Sequence, residues 1–205
     1  MLQVTQRKQL YALFNSLFSF PDQSLVELLE SGRLLHQVRP LDDTAQLPEL
    51  HHERMLESLQ VAFTDHFINR REGIPAPPYG SVYLDAGEQL YGPSTQAVAA
   101  TYQAEGLTLE QSLEPPDYLA TELEFLYFLV DREEQALQRR DMALAQTAAT
   151  RQARFFEHFF VPWVPGFCRR IAADPSTHPL YQWAAALLAR FCSVEQEWLT
   201  KIVPA

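Results

Sequence analysis

One stretch of this sequence forbids a long helix, and nearly everything outside it favours one. Between Arg70 and Pro93 stand Gly73, Pro75, Pro77, Pro78, Gly80, Gly87, Gly92 and Pro93, interleaved with Tyr79, Tyr83 and Tyr91. Proline lacks the backbone N–H that a helix interior needs, and glycine gives up the most backbone freedom on ordering. A connection this long inside a compact domain is usually functional or disordered, and the tyrosines argue for order. The expectation is a long Pro/Gly/Tyr-rich ordered surface loop.

On both sides of it, apolar residues recur three and four apart, the spacing of one helix face. Thr5 to Phe20 carries Leu10, Leu13, Phe14, Leu17 and Phe18 before Pro21 ends it. Asp22 or Ser24 suits the cap of a short second helix through Leu25, Leu28 and Leu29, with Gly32 placed for a left-handed end. Arg33 to Leu47 holds Pro40 and no sustained period, and reads as a loop with one short turn. A third helix is predicted from about Pro48 through Met55, Leu59, Phe63 and Phe67, stopping near Asn69. Ser94 or Thr95 suits the cap of the next, which closes at Gly106. After a linker from Gly106 to Glu114, Pro115 and Pro116 pre-set a first helical turn that includes Asp117. Leu123 to Val130 is apolar nearly all round and marks a central buried helix. Further helices are predicted from Asp141 to Phe160, through Phe167 and Ile171 beyond Pro162 and Pro165, and from Pro179 to Ile202. Nothing alternates with period two for long. The predicted fold is all-α, one compact helical domain over 1–205, with a hinge at 106–114 between two halves.

A chain of 205 residues is long enough to bury roughly 70% of its extended surface without staples. Sixteen Lys and Arg against 26 Asp and Glu leave a net charge of −10, which repels phosphate polyanions and anionic membranes, so no nucleic acid partner is expected. No apolar run approaches the ~18 residues of a membrane span, and Gln3 to Leu10 leads into a helix face rather than a cleavage site. A soluble chain in a reducing cytoplasm fits Cys168 and Cys192, which lack C-x-x-C spacing and read as small buried apolar residues.

Candidate chemistry is sparse. His51, His52 and Glu53 are adjacent rather than a turn apart and read as a solvated face, while His66 sits where a helix dipole favours it. No phosphate loop, nucleophile elbow or dinucleotide turn occurs, so no enzyme, cofactor or metal is expected. Arg70/Arg71, Arg139/Arg140 and Arg169/Arg170 precede no apolar export segment and read as helix-end charges. Two segments remain, Pro77 to Asp85 and Glu114 to Leu123. Asp117 can cap or compensate a helix dipole, Pro115 and Pro116 can initiate a helix, and Tyr79 and Tyr83 can simply order a loop. A carboxylate and several aromatics on Pro-rigid segments also make a surface suited to an Arg-bearing apolar peptide.

The run EPPDYLATELEFL, with PPYGSVYLD and LYGPST, resembles the TorD/DmsD family of cytoplasmic chaperones that bind twin-arginine leaders of molybdenum-containing oxidoreductases. The resemblance covers essentially the whole chain. It implies an all-helical protein, not an enzyme, that holds the leader or the apo catalytic subunit of an exported molybdoenzyme until its cofactor is inserted. It places peptide binding on Glu114, Pro116, Asp117, Tyr118, Leu119 and Glu122, on the loop residues Tyr79, Ser81, Tyr83 and Gly92, and more loosely on Phe63 and Phe67. Asp117, with Glu122, would receive the cation. Tyr118 stands where the family usually has histidine, which replaces a group titrating near neutrality with a neutral phenol able to stack on a guanidinium. The family includes monomers and dimers that exchange halves, which the 106–114 hinge would permit. Two further readings are a chaperone of a cytoplasm-facing nitrate-reductase-type subunit without a leader, and an all-α protein binding a nucleotide such as GTP.

Overall fold

The longest uninterrupted apolar periods become the centre of the molecule. A computed structural model describes residues 2–50, 53–71, 73–87, 90–108 and 114–202, and among these the chain forms ten α-helices, two π-helical turns and no strand. Helix α7 (Leu119–Gln138) is the central element, with α1 (Val4–Phe18) and α8 (Met142–Phe155) packed along it. The last two helices, α9 (Val164–Ala173) and α10 (Pro179–Ile202), pack on each other, and α10 also closes against α8 and α1. The predicted faces are the buried ones: Leu10, Leu13, Phe14, Leu17 and Phe18 of α1 meet Leu123, Leu126 and Val130 of α7 in one core. Each such side chain contributes about 1.5–3 kcal/mol on burial.

The N-terminal helix is pinned by charge as well. Arg7, fully buried, donates to both Glu195 carboxylate oxygens at 2.6–3.0 Å, to Glu133 at 3.0 Å and to Gln152, while its guanidinium lies 3.5 Å from the centre of the Trp198 ring. Tyr11 donates to Glu195 at 2.9 Å. Four helices, α1, α7, α8 and α10, therefore meet at one guanidinium.

Local signals set most helix ends. Asp22 accepts from Leu25 N at the start of α2 (Gln23–Glu30), and Asp141 accepts from Leu144 N at the start of α8. Gly32 takes the left-handed conformation between α2 and α3 (Arg33–Val38), a short helix where a loop was expected. Helix α4 (Met55–Phe63) begins later than Pro48 and runs into a π-helical turn over Thr64–Ile68. A second π-helical turn, Phe156–Phe160, extends α8, and its wider winding lets Phe155, Phe156 and Phe160 all face the core. The Pro/Gly/Tyr segment is ordered where described and contains one helical turn, α5 (Ser81–Leu84). Helix α6 (Pro93–Ala104) carries Pro93 in its first turn, and its cap comes from a distance: Asp85 accepts from the N–H and hydroxyl of Ser94. Neither Ser94 nor Thr95 caps it.

Asp117 lies in a single tight turn closed by Tyr118 N donating to Pro115 O at 3.1 Å, and that turn does not run on into a helix. Tyr118 is extended where the loop crosses it, so α7 starts only at Leu119. Cys168 and Cys192 are buried free thiols. No described helix is long and apolar enough to cross a membrane. His51 and His52, and 109–113 of the proposed hinge, lie outside the described residues.

Candidate functional site

The segment that interrupts the helical period crosses the entry of α7 as a short antiparallel bridge. Gly80 N donates to Asp117 O and Leu119 N to Pro78 O, both at 2.9 Å, which sets Tyr79 beside Tyr118. Two prolines on each side make the crossing rigid, because their φ angles are preset. Proximity also explains two glycines. A Cβ on Gly80 would stand 3.1 Å from Trp163 Nε1, and one on Gly92 would overlap the Asp85 carboxylate that caps α6. The two sequence segments read as candidates are thus one site.

Its floor is polar and buried. Asp117, 1% exposed, accepts from Ser81 N at 2.6 Å through one carboxylate oxygen. Glu122, fully buried one turn into α7, accepts from Trp163 Nε1 at 3.0 Å. The remaining oxygens, Asp117 Oδ1 and Glu122 Oε1, together with the hydroxyls of Ser81 and Thr95, have no hydrogen-bond partner among the described residues. Burial pushes the Glu122 carboxyl well above the usual carboxylate range, partly offset by the Trp163 N–H and reinforced by the Asp117 charge. Buried polar groups are ordinarily paired, so Asp117, Glu122 and Ser81, each with an atom lacking a partner among the described residues, mark a region not optimised for stability alone.

Its surface is aromatic with an acidic rim. The Tyr79 and Tyr118 rings lie 5.5 Å apart, tilted by 38°. Tyr79 donates its hydroxyl to Glu114 at 2.9 Å, and Tyr118 donates to the Phe18 carbonyl at 3.1 Å. Both phenols are half-buried and ionise later than a free tyrosine, first through burial and then through Glu114. Glu114 is exposed, and Pro116 is half-buried with its carbonyl accepting from Tyr102. Phe20 and Tyr91 add exposed aromatic surface on neighbouring segments.

The other sequence candidates lie deeper. Tyr83 is half-buried, its ring 5.4 Å from that of Trp163 and with the Arg170 guanidinium 4.6 Å from its centre. Leu119 is completely covered, and Phe63 and Phe67 belong to the core cluster with Phe18, Phe167 and Tyr181. Two members of the site were missed in the sequence, Trp163 and Tyr102. Trp163 sits between Pro162 and Pro165, a signal that a large ring is placed at a break rather than on a helix face.

Residues 31–169 match the family model described as nitrate reductase delta subunit. Chaperone protein TorD of Vibrio vulnificus is 32% identical over 142 residues, 69% of this chain and 64% of the relative, so the match spans under two thirds of that relative's length. Chaperone protein TorD of Vibrio cholerae is 29% identical over 86% of this chain and 77% of its own. The Tat proofreading chaperone DmsD of Salmonella typhi is 31% identical over 80% of this chain and 72% of its own. In fold, the chain is similar to a crystal structure described as a redox enzyme maturation protein from Archaeoglobus fulgidus, with a TM-score of 0.53, 23% identity, and 97% and 96% of the two chains covered. The chain belongs to the nitrate reductase delta subunit family, which takes in the TorD and DmsD chaperones.

Proposed function

We propose that this protein is a maturation chaperone for a molybdenum-containing oxidoreductase, acting in the cytoplasm and binding the enzyme's twin-arginine leader without catalysing a reaction. The observation that carries the leader-binding part is the Tyr79, Tyr118 and Glu114 surface at the crossing of two Pro-rigid segments. A guanidinium of the leader stacks on the tyrosine pair and meets the exposed carboxylate of Glu114, while the apolar stretch follows the neighbouring aromatic surface. Asp117 and Glu122 act from below: their carboxyls are buried, and Asp117 holds the loop through Ser81 N, so they set the platform rather than meet the cation first. A charge-assisted pair contributes about 1.5–3 kcal/mol, whereas micromolar binding needs about 8, so apolar burial supplies most of the affinity.

Isothermal titration with a synthetic leader peptide tests this. Micromolar binding is expected, weakened at least tenfold by Tyr79→Ala and by replacing both peptide arginines with glutamine. If Glu114 meets the pair, Glu114→Gln and the arginine replacements couple by about 1 kcal/mol or more in a double-mutant cycle. The family description favours one second reading, a chaperone of a nitrate-reductase-type subunit that needs no leader. Binding to a leaderless catalytic subunit with no heat from the peptide would select it and overturn the first.

A further inference from the structure

A cavity lies on the face made by α6, α7 and α8, and none of the described residues lining it belongs to the 77–85 or 114–119 crossing. Its volume is about 480 Å³, within the ~300–1,000 Å³ range of small-molecule sites. Phe125, Phe155 and Phe159 line it as a chain of touching rings, with centroids 4.7 Å and 5.4 Å apart. Arg151, Arg154 and His158 line it as well.

Charge selects the occupant. Among the described residues, one carboxylate lines the cavity, that of Glu105, and it is already taken by Arg132 at 2.9 Å and Arg151 at 2.6 Å. Arg154, exposed at the rim, makes no side-chain hydrogen bond or ion pair among the described residues. The Nδ1–H of His158 donates to the Arg154 carbonyl at 2.8 Å, which holds the imidazole on the same turn. Among the described residues, the lining guanidiniums of Arg151 and Arg154, with Arg132 beside them on Glu105, stand against that one carboxylate and make a locally cationic site on a chain of net charge −10. A ring-lined cavity with an unengaged guanidinium at its mouth suits a planar apolar body bearing a carboxylate, which a guanidinium binds in two-point fashion. We propose that this cavity is a binding site for an aromatic carboxylate, separate from the peptide surface and independent of the reading given above.

Titration of the full chain with 2-naphthoate, followed by quenching of intrinsic fluorescence and by calorimetry, tests the site. One saturable site is expected, with binding weakened at least fivefold by Arg154→Gln and by raising salt from 50 to 500 mM. Thr101→Trp, which fills the cavity from α6, should abolish it; equal melting temperatures confirm that both variants are folded. The neutral isostere 2-naphthamide should bind at least fivefold more weakly. Equal affinity for the amide, an unaltered Arg154→Gln variant, or no saturable site would each overturn the proposal. A leader peptide titrated into Thr101→Trp should bind as to wild type, so failure here stays distinct from failure of the peptide site.

Discussion

Two buried polar clusters in this protein are built on opposite terms. Around Arg7, each charge finds several partners: two carboxylates, an amide and an indole ring gather on one guanidinium, and the Tyr11 phenol donates to one of those carboxylates, joining helices far apart in sequence. Around Asp117 and Glu122, acids are buried with no cation among their hydrogen-bond partners in the described residues, and half of their oxygens have no partner there. Desolvation costs similar amounts in both places, so the second cluster is the less stable arrangement. It lies directly under the surface proposed to bind the leader. The contrast separates a cluster that ties the fold together from one that shapes a site.

The largest expected effect comes from breaking the first cluster. Arg7→Met leaves Glu195 and Glu133 buried without their cation and should cost about 3–5 kcal/mol in urea unfolding. Adding Glu133→Leu and Glu195→Met to the same chain should recover most of that loss, because the uncompensated charges are then gone. A small loss from Arg7→Met alone would mean that water reaches the cluster and that the comparison is drawn too sharply.

The second cluster should respond in the opposite direction. Glu122 is held neutral to higher pH in the folded protein than in the unfolded chain, so its contribution is complete below the unfolded value of about 4.5 and declines as pH rises towards the folded one. Glu122→Gln keeps an acceptor for Trp163 and removes that decline. The variant should therefore be more stable than wild type at pH 7.5 by about 1–3 kcal/mol, with the advantage shrinking as pH falls towards 4.5. Thermal melts across that range check it, and an advantage independent of pH would show that ionisation of Glu122 is not involved.

How much of this contrast the sequence carries depends on range. Helices α1, α7 and α10 are legible because their apolar residues repeat over many turns, and the crossing is legible because Pro77, Pro78, Gly80 and Pro115, Pro116 punctuate it. The burial of Asp117 is not, since it depends on Gly80 and Pro78, far back in the chain, which hold Tyr118 extended between the turn at Pro115 to Asp117 and the first residue of α7. Arg7 and Glu195 stand 188 residues apart, with no local pattern to link them. Likewise α3 is too short for a period to show, and Phe63 and Phe67 carry the same spacing whether they face a ligand or, as here, the core.

A histidine pair lies between the two extremes, and the hydrogen bonds it accepts form only while it is neutral. His178 N–H donates to His66 Nε2 at 2.9 Å, and Leu180 N–H donates to His178 Nδ1 at 3.2 Å, which caps the start of α10. Both ring nitrogens must be unprotonated to accept. Burial lowers both histidines, and Asp65 and Asp174 partly offset this at His66. Their contribution is therefore complete above the unfolded value of about 6.5 and is lost as pH falls from there towards the folded values. Because His178 is only half-buried, the loss between pH 7.5 and 5.5 should stay near 1 kcal/mol. His66→Gln, whose amide oxygen can accept from His178 N–H without titrating, should flatten the melting profile over that window.

The smallest effect is expected at the surface, and it tests whether the platform is held by its rings or by its hydroxyls. Tyr79→Phe removes one hydrogen bond, from the phenol to the exposed carboxylate of Glu114, and leaves the ring against Tyr118. An exposed bond of this kind contributes a few tenths of a kcal/mol to about 1, since water replaces the lost partner. Stability should therefore shift by less than about 1 kcal/mol. Affinity for a leader peptide can move either way by a small factor, because Glu114 loses an internal donor and becomes more available to a guanidinium. Tyr118→Phe differs in one respect: its hydroxyl donates to the Phe18 carbonyl at the end of α1, so its loss leaves a half-buried acceptor and should cost more than Tyr79→Phe. If Tyr79→Phe unfolds the loop while Tyr118→Phe does not, the Glu114 contact rather than the Pro-rigid crossing orders the platform. The reverse ranking, with both variants retaining leader binding within about threefold, places the binding energy on the two rings.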